Sequence, residues 1–142
     1  MAQPWVLRPV SAAQILALRH AVLRPGLPQV AAHFAGDDAE DTRHFGAFVD
    51  ELNVGCLSLM QAPFEGRPAL QLRGMAIAAD HQGRGVGGAL LAFALSEQEP
   101  SLVWCNARLG AVAFYERHGF STVGDVFEIA GVGPHKKLLL SR

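Results

Sequence analysis

Four glycines lie within six residues, at a point where an apolar, strand-like run gives way to an apolar, helix-like run. The stretch reads MAIAADHQGRGVGGALLAFAL over residues 75–95. Glycine destabilises regular structure by roughly 0.5–1 kcal/mol relative to alanine, but it lets an anion approach the backbone closely. The first N–H groups of a helix lack intrahelical partners and carry about half a positive charge. The pattern therefore predicts a phosphate-binding loop at the start of a helix.

Two familiar phosphate-binding motifs do not account for this loop. A P-loop requires Gly-Lys-Ser or Gly-Lys-Thr, which the sequence lacks. Gly83, Gly85 and Gly88 match the dinucleotide pattern G-x-G-x-x-G, but that motif also uses an acidic residue at the end of the next strand. The next predicted strand ends in Cys105–Arg108 without an acid, which disfavours a nucleotide-binding oxidoreductase.

The elements around the loop alternate between strand-like and helix-like patterns. Ser11 and Gln14 have the spacing of a capping box, ahead of a helix that Pro25 ends. A short second helix is expected over residues 28–36, and the acidic residues in 37–41 are expected to form a solvated loop. The whole pattern has the order β-α-(α)-β-β-β-α-β-α-β-β, which predicts one mixed sheet with helices packed on it.

A second motif follows the glycine loop. The loop itself has the form Gln-x-x-Gly-x-Gly from Gln82 to Gly87. The next strand and helix contain the pattern Asn…Ala-x-x-Phe-Tyr-x-x-x-Gly-Phe, which begins at Asn106 and ends at Phe120. Together the two motifs resemble those of the Gcn5-related N-acetyltransferase (GNAT) superfamily, in which such a loop holds the pyrophosphate of coenzyme A. The close resemblance covers residues 70–120.

The resemblance implies an α/β (α+β) fold with a single mixed, mostly antiparallel sheet of six to seven strands. Helices would cover both faces, the central parallel strands would splay apart, and one GNAT-like domain would span residues 1–142. The implied activity is transfer of the acetyl group of acetyl-CoA to a primary amine, by direct attack in a ternary complex and without a metal. A non-catalytic acyl-CoA-binding or sensor domain on the same fold is the alternative.

In this fold the strands at 70–78 and 101–106 separate, and the pantetheine arm enters between them. The resemblance implies that backbone groups of Met75 and Ile77 pair with that arm, and that one such N–H stabilises the oxyanion. Asn106 would bond the pantetheine, a turn or helix N-cap role being the alternative. The implied cofactor-binding residues are Met75, Ile77, Gln82, Gly83, Arg84, Gly85, Val86, Gly87, Gly88 and Asn106. For Arg84, an exposed surface arginine without a ligand is an equal alternative.

Tyr115, the single tyrosine of the chain, is the catalytic residue that the resemblance implies. A phenol with a pKa of ~10 can protonate the departing thiolate of coenzyme A, whose pKa is near ~8.5; packing beside its neighbours is the alternative. No general base is identified. The strand at 69–74 lacks the glutamate that many family members use there, and nothing selects among His44, His118 and His135.

Arg73 is a candidate for binding the acceptor. By strand alternation it is expected to share a face with Met75 and Ile77, where its charge would suit an acidic group on the acceptor. An ordinary surface arginine is the alternative.

Composition sets the remaining expectations. The chain has 142 residues, half of them hydrophobic, and its 12 basic and 13 acidic residues give a net charge of −1. This balance predicts neither nucleic acid nor membrane as a partner. Both cysteines lie in apolar runs, so reduced, buried thiols and a cytoplasmic location are expected. The six histidines lack zinc-site spacing. A homodimer is one assembly that the resemblance allows.

Overall fold

The computed structural model describes residues 4–142, which form seven strands and three α-helices. In chain order these are β1 (Val6–Val10), α1 (Ala12–Leu23), β2 (Arg43–Val49), β3 (Leu52–Gln61), β4 (Leu70–Ile77), α2 (Val86–Gln98), β5 (Leu102–Arg108), α3 (Val112–Arg117), β6 (Ser121–Ile129) and β7 (Gly133–Ser141). The helix expected over residues 28–36 is only a 3₁₀ turn at Gln29–Ala32. That prediction was wrong because side chains bond to the backbone of this segment, Arg19 to the Ala32 carbonyl and Asp37 to the Phe34 N–H, and hold it in a loop.

The strands form a sheet in the order β1-β2-β3-β4-β5-β7-β6. The β1–β2, β2–β3, β5–β7 and β6–β7 pairs are antiparallel. The parallel β4–β5 ladder has only two pairs, Leu70 with Val103 and Gln71 with Trp104. The prediction of a mixed, mostly antiparallel sheet is thus confirmed, and the short central ladder agrees with the expected splay of the two parallel strands.

The chain folds into two compact units. The first contains the residues up to 60 together with 73–99, and the second contains 61–72 together with 100–142. The single domain expected over residues 1–142 stays a prediction, and its first three residues lie outside the described part of the chain.

In the first unit, α1 and α2 cover opposite faces of the strands. Ile15 of α1 packs with Cys56 and Ala76, whereas Val86 of α2 packs in a cluster that includes Ile77. Because Ala76 and Ile77 are consecutive on β4, their side chains point to opposite faces. α1 begins as expected, since the Ser11 N–H donates to Oε1 of Gln14 at 2.9 Å.

The second unit has its own apolar cluster on β5 and its neighbours. Phe64, Ala69 and Leu102 are buried there, with Trp104 packed against them. The Trp104 indole N–H donates to the Ala62 carbonyl at 2.9 Å. None of the helices in the described part of the chain has both the length and the apolar character that a bilayer crossing requires.

Both cysteines are buried and free, as the sequence predicts. Burial raises the pKa of the Cys56 and Cys105 thiols to about 12. Since the thiolate is the reactive form, these are structural side chains at neutral pH.

Candidate functional site

The glycine loop connects the end of β4 to the start of α2. A 3₁₀ turn at Ala79–His81 follows β4, and the chain then passes through Gly83 and Gly85 with φ angles of +75° and +90°. Glycine adopts these left-handed angles without a steric penalty. A Cβ at Gly83 would meet no atom within 4 Å, so this side of the loop is open to a ligand.

The N-terminus of α2 has unpaired backbone donors. Gly85 is the N-cap and offers no side chain, and the first helical hydrogen bond runs from the Ala89 N–H to the Gly85 carbonyl at 3.1 Å. The preceding N–H groups of the helix therefore have no helical acceptor. The first turn contains no acidic residue, and the exposed Arg84 precedes it. The predicted strand, glycine turn and helix start are confirmed, while phosphate binding stays a prediction.

Gln82 stabilises the loop in a way that the sequence does not reveal. Its side-chain amide Nε2 donates to the Ile77 carbonyl at 3.0 Å. This bond closes the turn between β4 and α2 across five residues. Gln82 thus shapes the loop, whether or not it also contacts a ligand.

Arg73 does not share a face with Ile77, so that prediction was wrong. Gly74 has a φ of +61°, which breaks the alternation of β4, and a Cβ there would lie 2.6 Å from Nε of Arg19 on α1. Arg73 also points to the α1 side, where its Nη1 donates to the Ala35 carbonyl at 2.9 Å. Strand alternation holds only while the backbone stays extended, and the left-handed residue places two consecutive positions on one face.

A buried polar cluster lies beneath α1, and the sequence analysis missed it. Arg19 is only 1% exposed. Its guanidinium donates to Oδ2 of Asp37 at 2.6 Å, to the Ser58 hydroxyl at 2.8 Å and to the Ala32 carbonyl at 2.9 Å. These bonds hold the connection between α1 and β2 in place. The expectation that the acidic residues in 37–41 are all solvated is wrong for Asp37, because this carboxylate is drawn inward to neutralise a buried arginine.

The Arg19 guanidinium also affects the ionisation of Asp37. Burial by itself would raise the pKa of the carboxyl group, but hydrogen bonds from Arg19 and from the Phe34 N–H oppose it and hold the pKa below its ordinary value. Asp37 is therefore ionised at neutral pH. The pair is a neutralised ion pair within the fold.

His44 completes this cluster and is not available as a general base. Its Nε2 lies 2.9 Å from the Asp37 carbonyl and its Nδ1 lies 2.6 Å from the Ser58 hydroxyl. A carbonyl only accepts, so Nε2 carries the proton. In the neutral ring Nδ1 then accepts from Ser58, whose oxygen in turn accepts from Arg19. Both ring nitrogens are occupied in a buried position.

The other two candidate bases differ in accessibility. His135 is buried, and its Nδ1 lies 2.8 Å from the Gly133 carbonyl. His118 is exposed at the end of α3, with its ring centroid 4.6 Å from that of Phe114. Neither geometry identifies a base. Residues 4–142 contain no group of three or more His, Cys, Asp or Glu side chains placed to hold a metal ion.

Tyr115 is held rigidly in the second unit. It is 6% exposed, and its ring packs edge to face against Phe114 and Phe120, at centroid distances of 5.2 and 5.3 Å. Burial, with a smaller effect of Cys105, raises the pKa of the phenol above its ordinary value. Tyr115 is therefore protonated at neutral pH, which is the state that a proton donor needs.

Asn106 lies within β5, where it is the register partner of Lys137 on β7. Its Oδ1 accepts a hydrogen bond from the Lys137 ammonium at 3.0 Å. The N-cap of α3 is Ala111, so the alternative in which Asn106 caps that helix is wrong. With its oxygen occupied, the amide offers its Nδ2 hydrogens to a ligand.

Comparisons with known proteins identify the family of this chain. The family model described as "Acetyltransferase (GNAT) domain" matches residues 40–122. The uncharacterized N-acetyltransferase YitI of Bacillus subtilis (strain 168) is 30% identical over 135 residues, which cover 91% of each protein.

Solved structures share the fold at lower sequence identity. An acyl-CoA N-acyltransferase from Pseudomonas aeruginosa superposes with a TM-score of 0.76 at 22% identity, covering 96% of this chain and 98% of that one. A GNAT family acetyltransferase from Elizabethkingia anophelis, with acetyl-CoA bound, superposes with a TM-score of 0.70 at 14% identity, covering 99% of this chain and 100% of that one. From the family match and the curated relative together, the chain belongs to the GNAT acetyltransferase family and is an acyltransferase.

Proposed function

We propose that this protein transfers the acetyl group of acetyl-CoA to a primary amine, by direct attack in a ternary complex. The observation that carries the proposal is the open glycine loop at the start of α2, with free helical N–H groups, no acid in the first turn and Arg84 beside it. Such a terminus favours an anion such as a pyrophosphate. The Elizabethkingia anophelis neighbour has acetyl-CoA bound, which supports acetyl-CoA as the donor.

In this proposal, groups of the chain are assigned to successive parts of coenzyme A. The glycine loop supplies N–H groups for the pyrophosphate, and the backbone of β4 supplies pairing groups for the pantetheine arm. In the second unit, Asn106 supplies a donor from Nδ2 because Lys137 occupies its oxygen. The proposed contacts are made by Met75, Ile77, Gln82, Gly83, Arg84, Gly85, Val86, Gly87, Gly88 and Asn106.

Acetyl-CoA brings the thioester on which the reaction depends. The amine nitrogen attacks the thioester carbonyl carbon, so a C–N bond forms and the carbonyl oxygen takes up negative charge. A backbone N–H of Met75 or Ile77 stabilises that oxyanion. The C–S bond then breaks, and its electron pair stays on sulfur.

Two proton transfers complete the reaction. The nitrogen releases a proton to solvent, and the thiolate takes a proton from the Tyr115 hydroxyl, which solvent then restores. A phenol is already protonated at neutral pH before each turnover, and the raised pKa of Tyr115 makes it a weaker acid toward the thiolate. The products are an N-acetylated amine and free coenzyme A.

Ligand binding tests the first half of the proposal. Acetyl-CoA should raise the melting temperature of the protein, and NAD should not, because a ligand that binds only the folded state stabilises it. A shift with NAD and none with acetyl-CoA would contradict the proposal.

Product formation tests the second half. A panel of primary amines is incubated with acetyl-CoA, and both free coenzyme A and the N-acetylated product are measured. Acetyl-CoA binding without transfer to any amine would instead favour the acyl-CoA-binding or sensor domain.

A further inference from the structure

Arg73 carries a half-buried charge that forms no salt bridge with a carboxylate among residues 4–142, and its attraction to Asp37, which already pairs with Arg19, acts at longer range. Its Nη1 donates to the Ala35 carbonyl at 2.9 Å and lies 3.7 Å from the Met60 sulfur. Burial lowers the pKa of the guanidinium, although the group stays protonated. Removing part of such a charge from water is costly unless a partner compensates it. The missing partner is therefore expected to be a ligand.

The remaining donors of Arg73 have the shape of a carboxylate site. With Nη1 bound to the Ala35 carbonyl, the Nε and Nη2 hydrogens form the other side of the guanidinium. This side-on pair matches the two oxygens of a carboxylate in a bidentate contact. A lone ammonium or hydroxyl on a ligand would not satisfy it.

The ring of Phe34 packs against the guanidinium of Arg73. This ring has three guanidinium carbons nearby, at 4.3 Å from Arg19, 5.1 Å from Arg73 and 5.2 Å from Arg24. Asp37 neutralises Arg19 through a buried salt bridge. Arg73 is therefore a further cation beside this ring, in a chain whose net charge is only −1.

Arg73 is also close along β4 to the backbone groups proposed for the donor. Met75 follows it by two residues, which span at most about 7 Å. A compact molecule anchored at Arg73 therefore reaches the level of Met75. Both residues belong to the first unit.

We propose that Arg73 binds a carboxylate on the acceptor, so that the acceptor is a small amine with a free carboxylate, such as an amino acid. This inference rests on the proposed function. It goes beyond that function by specifying a carboxylate, in addition to the amine, as a functional group of the acceptor. Arg73 then determines which amines bind.

Calorimetric binding to the protein saturated with coenzyme A tests this directly. The probes are amino acids, each paired with its own carboxamide, for example leucine with leucinamide and phenylalanine with phenylalaninamide. Binding is the primary measurement because amidation also lowers the pKa of the amine and so changes turnover for another reason. The acid should bind at least ~10-fold more tightly than the amide, as expected for hydrogen bonds between charged groups.

Variants assign the preference to Arg73. Arg73→Met should remove the difference in affinity between acid and amide. Arg73→Lys keeps the charge but lacks the paired Nε and Nη2 hydrogens, so it should retain only part of that difference. Arg117→Met removes an exposed arginine from α3 and should leave the difference unchanged. Circular dichroism and melting curves confirm that each variant is folded.

The outcomes separate this inference from the proposed function. Equal affinity for acid and amide, no binding of any acid, or a preference that survives in Arg73→Met would overturn the carboxylate site. Turnover of the same pairs is measured in parallel. Tight binding of the acids without acetyl transfer would contradict the proposed function and leave the carboxylate site standing.

Discussion

The ammonium of Lys137 lies 3.0 Å from Oδ1 of Asn106, across the β5–β7 ladder. The same ammonium lies 4.3 Å from the centroid of the Trp104 ring, which keeps the lysine side chain in place. An amide whose oxygen is held by a cation presents its N–H₂ group on the other side. Lys137 therefore sets which end of Asn106 is offered to a ligand.

Lys137→Met should weaken acetyl-CoA binding by about fivefold, the equivalent of one neutral hydrogen bond. The amide of Asn106 is then free to turn and no longer presents a fixed donor. Titration calorimetry measures the affinity, and kcat at saturating acetyl-CoA should change little. Lys136→Met is the matched control, because alternation places Lys136 on the opposite face of β7. Unchanged affinity in Lys137→Met would show that Asn106 does not need this orientation.

Gly87→Glu should abolish measurable binding of acetyl-CoA while the protein stays folded. The new side chain adds bulk and negative charge in the first turn of α2, where the pyrophosphate is proposed to lie. Calorimetry gives the affinity, and circular dichroism the helical content. Ala92→Glu places the same charge on an exposed position further along α2 and should bind acetyl-CoA normally. If Gly87→Glu retained its affinity, the phosphates would have to bind elsewhere.

Tyr115→Phe separates catalysis from packing. The ring contacts with Phe114 and Phe120 remain, and only the hydroxyl group is lost. General acid catalysis is typically worth about 10²–10⁴-fold, so kcat should fall by at least ~10-fold, with water as a substitute donor. The affinity for acetyl-CoA should stay within a few-fold.

The separate effects on kcat and on the affinity for acetyl-CoA show which role Tyr115 has. Full activity in the variant would mean that the residue only packs. A loss of acetyl-CoA affinity with kcat retained would mean that it positions the donor. Initial rates at varied acetyl-CoA, with an acceptor found in the amine panel, distinguish these results.

Local patterns in the sequence predicted the glycine loop well, because a glycine cluster between a strand and a helix needs no distant partner to be interpreted. The face of Arg73 could not be predicted in this way. It depends on the left-handed backbone of Gly74, at a position where a Cβ would also clash with Arg19. The burial of Asp37 depends likewise on a residue 18 positions earlier in the chain. Such long-range pairs leave no periodic signal.

Asp37→Asn should lower the free energy of unfolding at pH 7 by about 3 kcal/mol, because it leaves the buried Arg19 charge uncompensated. The folded-state pKa of Asp37 lies below its ordinary value, so the unfolded state binds more protons and this contribution is fully present above the ordinary pKa of 3.8. It is lost as the pH falls through the lower, folded-state pKa. Urea unfolding of both proteins at pH 7 and at stepwise lower pH should therefore show a difference that shrinks below about pH 4. Glu51→Gln, which removes the exposed pair with Arg8, should change stability by less than ~1 kcal/mol throughout. A difference for Asp37→Asn that did not depend on pH would mean that the Asp37 charge does not stabilise the buried cluster.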